Sequence, residues 1–253
     1  MSKLITVVGA GHLAKFFFKT VQSNWKMIAL TRSPEKIDAT NSVIAQKYLS
    51  GEVLPAICLS SDFLLWSLPP IANYWQLLQQ AHSACDTKTQ WIFISSTSVF
   101  GAGHIDESSP LQGQTEHAKT LMECEEYLQS IKHERKVSIL RPGGLVDEIR
   151  HPRNFFAKAT ILSAAETNVN LIHTLDVARC ISFLINHNHI GEDFNLVSDD
   201  HPTKEQFYLP LVGPINPNIK IDREKSLMRV ISNQKIKRFG FTLQYPTIQD
   251  CFE

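Results

Sequence analysis

Leu4-Ile5-Thr6-Val7-Val8-Gly9-Ala10-Gly11-His12-Leu13-Ala14 is the stretch that decides the fold of this chain. Residues 4–8 form a short apolar run closed by a glycine, as expected of a strand buried on both faces in a parallel sheet. The next six residues read G-x-G-x-x-A. Leu13, Phe16, Phe17 and Val21 then recur at helical spacing. Strand, glycine turn and helix in that order make a weak glycine pattern informative. Gly9 permits the tight turn, Gly11 lets the backbone approach a pyrophosphate, and Ala14 is small enough for helix–strand packing. Free N–H groups and the helix dipole favour an anion there. The expectation is a dinucleotide held at Gly9, Gly11, His12 and Leu13. The alternative is a tight strand–helix turn with no ligand.

The alternation continues outward. Residues 27–30 read as a second strand, ending at Thr31-Arg32-Ser33-Pro34. A carboxylate at this position would bind the ribose 2′-OH of NAD. The chain offers a cation and two hydroxyls instead, which suit the 2′-phosphate of NADP. NADP is therefore favoured over NAD, against the alternative of a solvated surface arginine. A short strand is expected at 46–49 and a clear one at 63–68, closed by Pro69-Pro70. Leu68 and Pro69 would line the cofactor. Ile71, Tyr74, Trp75, Leu78 and Ala81 give a helical face. Residues 91–94 form the next strand, ending in Ser95-Ser96-Thr97-Ser98. Residues 101–114 read as a loop, rich in Gly, Asp, Ser and Pro. Ala118, Leu121, Cys124, Leu128 and Ile131 mark an amphipathic helix. Residues 137–140 form a strand stopped by Arg141-Pro142-Gly143-Gly144.

Strands alternating with helices imply an α/β fold, a Rossmann-type doubly wound parallel sheet. The rest is less regular. Helices are expected at 154–165 and 176–186, a strand at 194–197 and a helical start at Thr203. The expected organisation is a dinucleotide-binding domain over 1–146 and a mixed region over 147–253. Within the latter, 170–200 completes the sheet, while 147–169 and 201–253 form a small C-terminal substrate lobe.

Composition narrows the function. The chain has 253 residues, 43% hydrophobic, with 25 Lys plus Arg against 25 Asp plus Glu. A net charge of zero excludes a protein governed by a basic surface, so no nucleic-acid partner is expected. No run approaches the ~20 apolar residues of a membrane helix, and the N-terminus lacks a signal-peptide core. A cytoplasmic protein with a small-molecule partner is expected; the oligomeric state is not legible. Five cysteines lie far apart with no C-x-x-C pair, which reads as buried thiols rather than disulfides or zinc. Only His187 and His189 lie close together, a poor chelate, so no metal is expected. Trp66 and Trp91 read as core.

Several segments in order carry a resemblance. They are residues 9–14, then Trp91-Ile92-Phe93-Ile94-Ser95-Ser96-Thr97-Ser98-Val99-Phe100-Gly101, then Asp106-Glu107-Ser108-Ser109-Pro110. Lys119 with Glu123, Leu140-Arg141-Pro142-Gly143-Gly144, Ile172-His173 before Asp176, residues 191–200 and the tail 239–246 complete the set. The chain resembles an atypical extended short-chain dehydrogenase/reductase of the NAD(P)-dependent epimerase/dehydratase type, in its YeeZ-like subgroup.

That resemblance implies an oxidoreductase or sugar-nucleotide-type enzyme. A Ser or Thr binds the substrate oxygen, a Tyr is the acid/base, and a Lys four residues later binds the nicotinamide ribose and lowers the Tyr pKa. Ser96 matches the first and Lys119 the last, while the Tyr position falls on Thr115. Ser95, Lys119 and Pro142 join the implied cofactor contacts. An aliphatic hydroxyl ionises far less readily than a phenol, so Thr115 counts against ordinary hydride chemistry. His104 and His117 are the local proton carriers that remain. Asp176 reads as a helix-start residue. The alternative function is a non-catalytic dinucleotide-binding or redox-sensing module.

Overall fold

The computed structural model describes residues 2–252 except 39, 41, 50, 72 and 157. The N-terminal half alternates as its periodicity requires: β1 (Lys3–Val8), α1 (His12–Lys19), β2 (Trp25–Thr31), β3 (Val43–Lys47), β4 (Phe63–Trp66), α2 (Tyr74–Ala84), β5 (Gln90–Ile94), β6 (Gly103–Ile105), α3 (Glu116–Ser130) and β7 (Val137–Pro142). The later chain has shorter elements: β8 (Gly144–Val146), α4 (Arg153–Phe156), β9 (Ile161–Leu162), β10 (Leu171–His173), α5 (Thr174–Asn186), β11 (Phe194–Leu196), α6 (Lys204–Val212), β12 (Lys220–Ile221), β13 (Arg229–Ile231) and α7 (Gln234–Arg238).

The main sheet has seven strands in the order β11-β7-β5-β4-β1-β2-β3. The pairings from β7 through β3 are all parallel. The strand order reverses at β1, where β4 lies on one side and β2 on the other. In open α/β sheets, ligands bind outside the carboxyl ends of the strands at such a switch point. Strand composition explains the central position of these elements. All four residues of β4 and all six of β7 are buried, as parallel strands covered on both faces must be.

The chain separates into two compact units. One comprises Met1–Val99, Gly113–Arg141 and Val177–Asp193. Its core is aromatic: Trp66 and Trp91 are each 1% exposed and stack at 6.3 Å, with Tyr74 and Phe93 against them. On α1, Leu13, Ala14 and Phe17 are buried, each large side chain worth about 1.5–3 kcal/mol of transfer free energy. Cys58, Cys85 and Cys124 are buried here, and burial lifts the Cys124 thiol to about 12.

The other unit comprises Phe100–Gln112, Pro142–Asp176 and Phe194–Glu253. It is built from two-stranded parallel pairs, β8 with β10, β9 with β12, and β6 with β13. Val146, Leu162, Val169, Leu171, Tyr208 and Ile248 fill its core. Thr203 starts α6 with a full capping box, its hydroxyl accepting from the Gln206 N–H while the Gln206 side chain returns to the Thr203 N–H.

Three sequence expectations change. The helix expected at 154–165 is a single turn, Arg153–Phe156, followed by β9; Ile161 and Leu162 pair with β12 instead of completing a helical face. The third strand lies at Val43–Lys47 rather than 46–49, so Tyr48 follows the strand and buries its ring. The loop expected at 101–114 contains β6. Asp176 lies in the first turn of α5, as the sequence reading has it, and there it is buried, its carboxylate accepting the N–H groups of Gln244 and Tyr245 and fastening the C-terminal tail.

Candidate functional site

The turn after β1 is built around Gly9. Its φ is +84°, and a Cβ there would lie 2.8 Å from both the backbone N and Cδ2 of Leu68. The chain leaving β4 therefore occupies the space of any side chain, which is why glycine is needed. Leu68 is itself held: its carbonyl accepts the hydroxyl of buried Tyr74 at 2.6 Å. Burial pushes the Tyr74 phenol well above its ordinary value, so it stays a neutral donor. Pro69 follows on the surface.

Gly11 is different. A Cβ added there would meet only the Gly9 carbonyl, at 3.8 Å. The space in front of it is open, as a group that must approach the backbone requires. Gly11 is the N-cap of α1 and supplies no side-chain cap. The first turn of α1 thus carries no side-chain acceptor from its own cap, and the helix end offers N–H groups and positive potential. His12 is half-buried with its ring edge-on to Phe16 at 5.3 Å, and Leu13 is buried. An exposed glycine before an uncapped helix end fits a pyrophosphate.

At the end of β2, the Thr31 hydroxyl accepts the Ser33 N–H at 3.3 Å, shaping a tight turn. Arg32 projects from it, exposed, and has no ion pair among the described residues.

The segment after β5 supplies two serines with different surroundings. Ser95 is 6% exposed, and its hydroxyl donates to Glu125 Oε1 at 2.5 Å. Ser96 is half-buried, and its Oγ accepts the Ser98 N–H at 3.1 Å. Gly113 lies close to this segment: a Cβ on it would come within 2.5 Å of Ala118 Cβ and 2.6 Å of the Ser98 carbonyl. Pro142 ends β7, buried.

Thr115 is the N-cap of α3, and its hydroxyl accepts the Ala118 N–H at 3.2 Å. Its carbonyl accepts the Lys119 N–H at 2.9 Å, one turn on. Lys119 is exposed and pairs with Glu116 at 2.8 Å, which raises its pKa through that hydrogen bond and charge. The buried face of α3 is Ala118, Leu121, Cys124, Glu125 and Leu128. Among the described residues no hydrogen bond joins Thr115 or Lys119 to Ser96 or to each other's side chain. His104 and His117 are exposed.

Two groups escaped the sequence reading. Glu125, 1% exposed, receives Arg141 in a forked ion pair, with Nη2 to Oε2 at 2.7 Å and Nε to both oxygens at 3.0 and 3.1 Å. The only sequence signal was a carboxylate on the apolar stripe of a helix, beside Cys124. Tyr74 looked like one apolar position among five, and nothing local announced its bond to Leu68.

No family model matches the chain. Protein YeeZ of Escherichia coli (strain K12) is 28% identical over 267 residues, covering 96% of this chain and 97% of that one. Among solved structures, a UDP-N-acetylglucosamine 4-epimerase from Methanobrevibacter ruminantium superposes with a TM-score of 0.77 at 13% identity, covering 98% of this chain and 95% of the other. A short-chain dehydrogenase/reductase superfamily protein from Agrobacterium tumefaciens, solved with bound NAD, gives 0.76 at 16% identity over 98% and 94%. The chain is thus similar to YeeZ along nearly the whole of both chains, and its fold is the one these epimerase and short-chain dehydrogenase/reductase structures share.

Proposed function

We propose that the protein binds a nicotinamide dinucleotide at the β1–α1 turn, with NADP preferred over NAD. One observation carries the reading: Gly9 is packed against Leu68 while Gly11 opens onto an uncapped helix end. The pyrophosphate would sit on the first turn of α1. Arg32, exposed beside the Thr31 and Ser33 hydroxyls, would meet the 2′-phosphate. Leu68 and Pro69 would flank the adenosine. Ser95, Ser96 and Pro142 would lie toward the nicotinamide, with Ser96 as the hydroxyl offered to a substrate. Fold relatives that bind NAD support the reading.

Thermal shift with NADP(H) and NAD(H) tests it, on the wild type and on Arg32→Asp. The wild type should gain more from NADP, and Arg32→Asp should reverse the order. A wild type that prefers NAD removes the role given to Arg32. No shift with either, in a folded protein, removes the cofactor.

Whether the bound cofactor turns over is a separate question. An oxidoreductase or epimerase-type enzyme needs a proton donor, and Thr115 and Lys119 supply little: one hydroxyl is spent on a helix cap and one ammonium on a surface ion pair. Those two observations favour the second reading, a non-catalytic dinucleotide-binding or redox-sensing module. NADPH absorbance followed with a panel of carbonyl compounds and nucleotide sugars separates the two. Oxidation with any of them establishes an enzyme; firm NADPH binding with no oxidation favours the module.

A further inference from the structure

The strongest feature outside the glycine turn is the ion pair between Glu125 on α3 and Arg141 on β7. Both side chains are nearly sealed from solvent, at 1% and 5% exposure. The guanidinium grips both carboxylate oxygens, and the remaining capacity of Oε1 is taken by Ser95. The carboxylate therefore links three segments: the middle of a helix, the end of β7 and the first residue beyond β5. Backbone pairing joins two of them again, through the Ser95 N–H and the Leu140 carbonyl at 2.8 Å.

A buried ion pair is poor evidence for stability, because desolvating two charges offsets most of their attraction, and apolar residues of similar volume often do as well. What it supplies is direction. A bidentate arginine fork fixes the plane of the carboxylate, and that plane fixes where the Ser95 hydroxyl can donate. Directly after Ser95 comes Ser96. Its hydroxyl accepts the Ser98 N–H and its carbonyl accepts the Val99 N–H, so the turn from Ser96 to Val99 hangs on the position of Ser96.

We propose that the Glu125–Arg141 pair is a positioning device, holding the Ser95–Ser96 turn in place at the carboxyl edge of the sheet. Glu125, Arg141 and Ser95 are positioning residues, acting through Ser96 and the backbone beside it. The device needs no bound ligand to exist. Its effect on cofactor binding rests on the dinucleotide reading above; its effect on the turn does not.

The double variant Glu125→Leu/Arg141→Met removes both charges and keeps the volume. Two quantities are measured on it: hydrogen–deuterium exchange of the Ser98 and Val99 amides without ligand, and NADP+ affinity by calorimetry. The thermal midpoint should stay near that of the wild type. Exchange at Ser98 and Val99 should quicken by about tenfold relative to the sheet amides, and NADP+ should bind about tenfold more weakly, the scale of one lost hydrogen bond to a charged group. Unchanged exchange at these two amides in the folded double variant overturns the proposal. Should the double variant not fold, Ser95→Ala decides the same way, since it removes only the arm that reaches the turn. Should the wild type bind no dinucleotide, the cofactor reading fails while the exchange measurement still decides the positioning.

Discussion

At the scale of single residues, two glycines and a threonine teach different lessons. Gly9 was legible because backbone conformation is a local property and its positive φ admits few residues but glycine, whereas Gly11, with open space before it, was legible only from its place in the G-x-G-x-x-A pattern. The work that Thr115 does in the structure was not legible. It caps α3 by accepting the Ala118 N–H, a contact that needs the helix to begin one residue later. Thr115→Ala should therefore lower stability by about 1 kcal/mol, while Thr115→Ser should change it by a few tenths at most. Urea unfolding curves measure both. A loss in Thr115→Ser as large as in Thr115→Ala would show that the methyl packing, not the cap, is what matters.

At the scale of elements, helix α3 shows what a buried face can hold that spacing alone does not announce. Thr115 caps the helix that begins at Glu116 and its carbonyl accepts the Lys119 N–H one turn on, while both side chains stay exposed. The face that turns inward carries Glu125 instead. Glu125→Leu alone leaves a buried guanidinium without its carboxylate and should cost about 3–5 kcal/mol, whereas pairing it with Arg141→Met should recover most of that loss. Chemical denaturation of the single and double variants is the measurement. A single variant that loses under about 1 kcal/mol would place the pair among ordinary surface ion pairs. The same scale explains the failed helix at 154–165. Its apolar residues matched a helical period, yet Ile161 and Leu162 belong to a two-residue strand paired with Lys220–Ile221, and a partner some sixty positions away leaves no local trace.

At the scale of the molecule, the histidines set a dependence on pH. His82, His151, His173 and His201 all have pKa values lowered from the ordinary 6.5, burial being the largest cause for each. A lowered value in the folded state means that the unfolded chain takes up these protons first, so stability rises with pH in this range. Their cost is absent above about pH 6.5 and grows as the pH falls from there toward the folded-state values. The thermal midpoint should decline between pH 7 and pH 5.5, and His173→Gln should flatten the decline. Calorimetry across that interval tests it; a midpoint constant or rising on acidification would contradict the assignment. His173, 1% exposed and stacked on Tyr245 at 3.9 Å, is the group for which the flattening should be clearest. By itself the sequence determined the doubly wound sheet and the glycine turn at its centre, because strand and helix periods and backbone freedom are written in neighbouring residues. Only the tertiary structure decided that Arg141 meets Glu125, that Asp176 holds the tail, and that Thr115 and Lys119 are committed to a cap and a surface pair. A polar side chain finds its partner through space, and its chemistry follows from that partner and from how much water is left beside it.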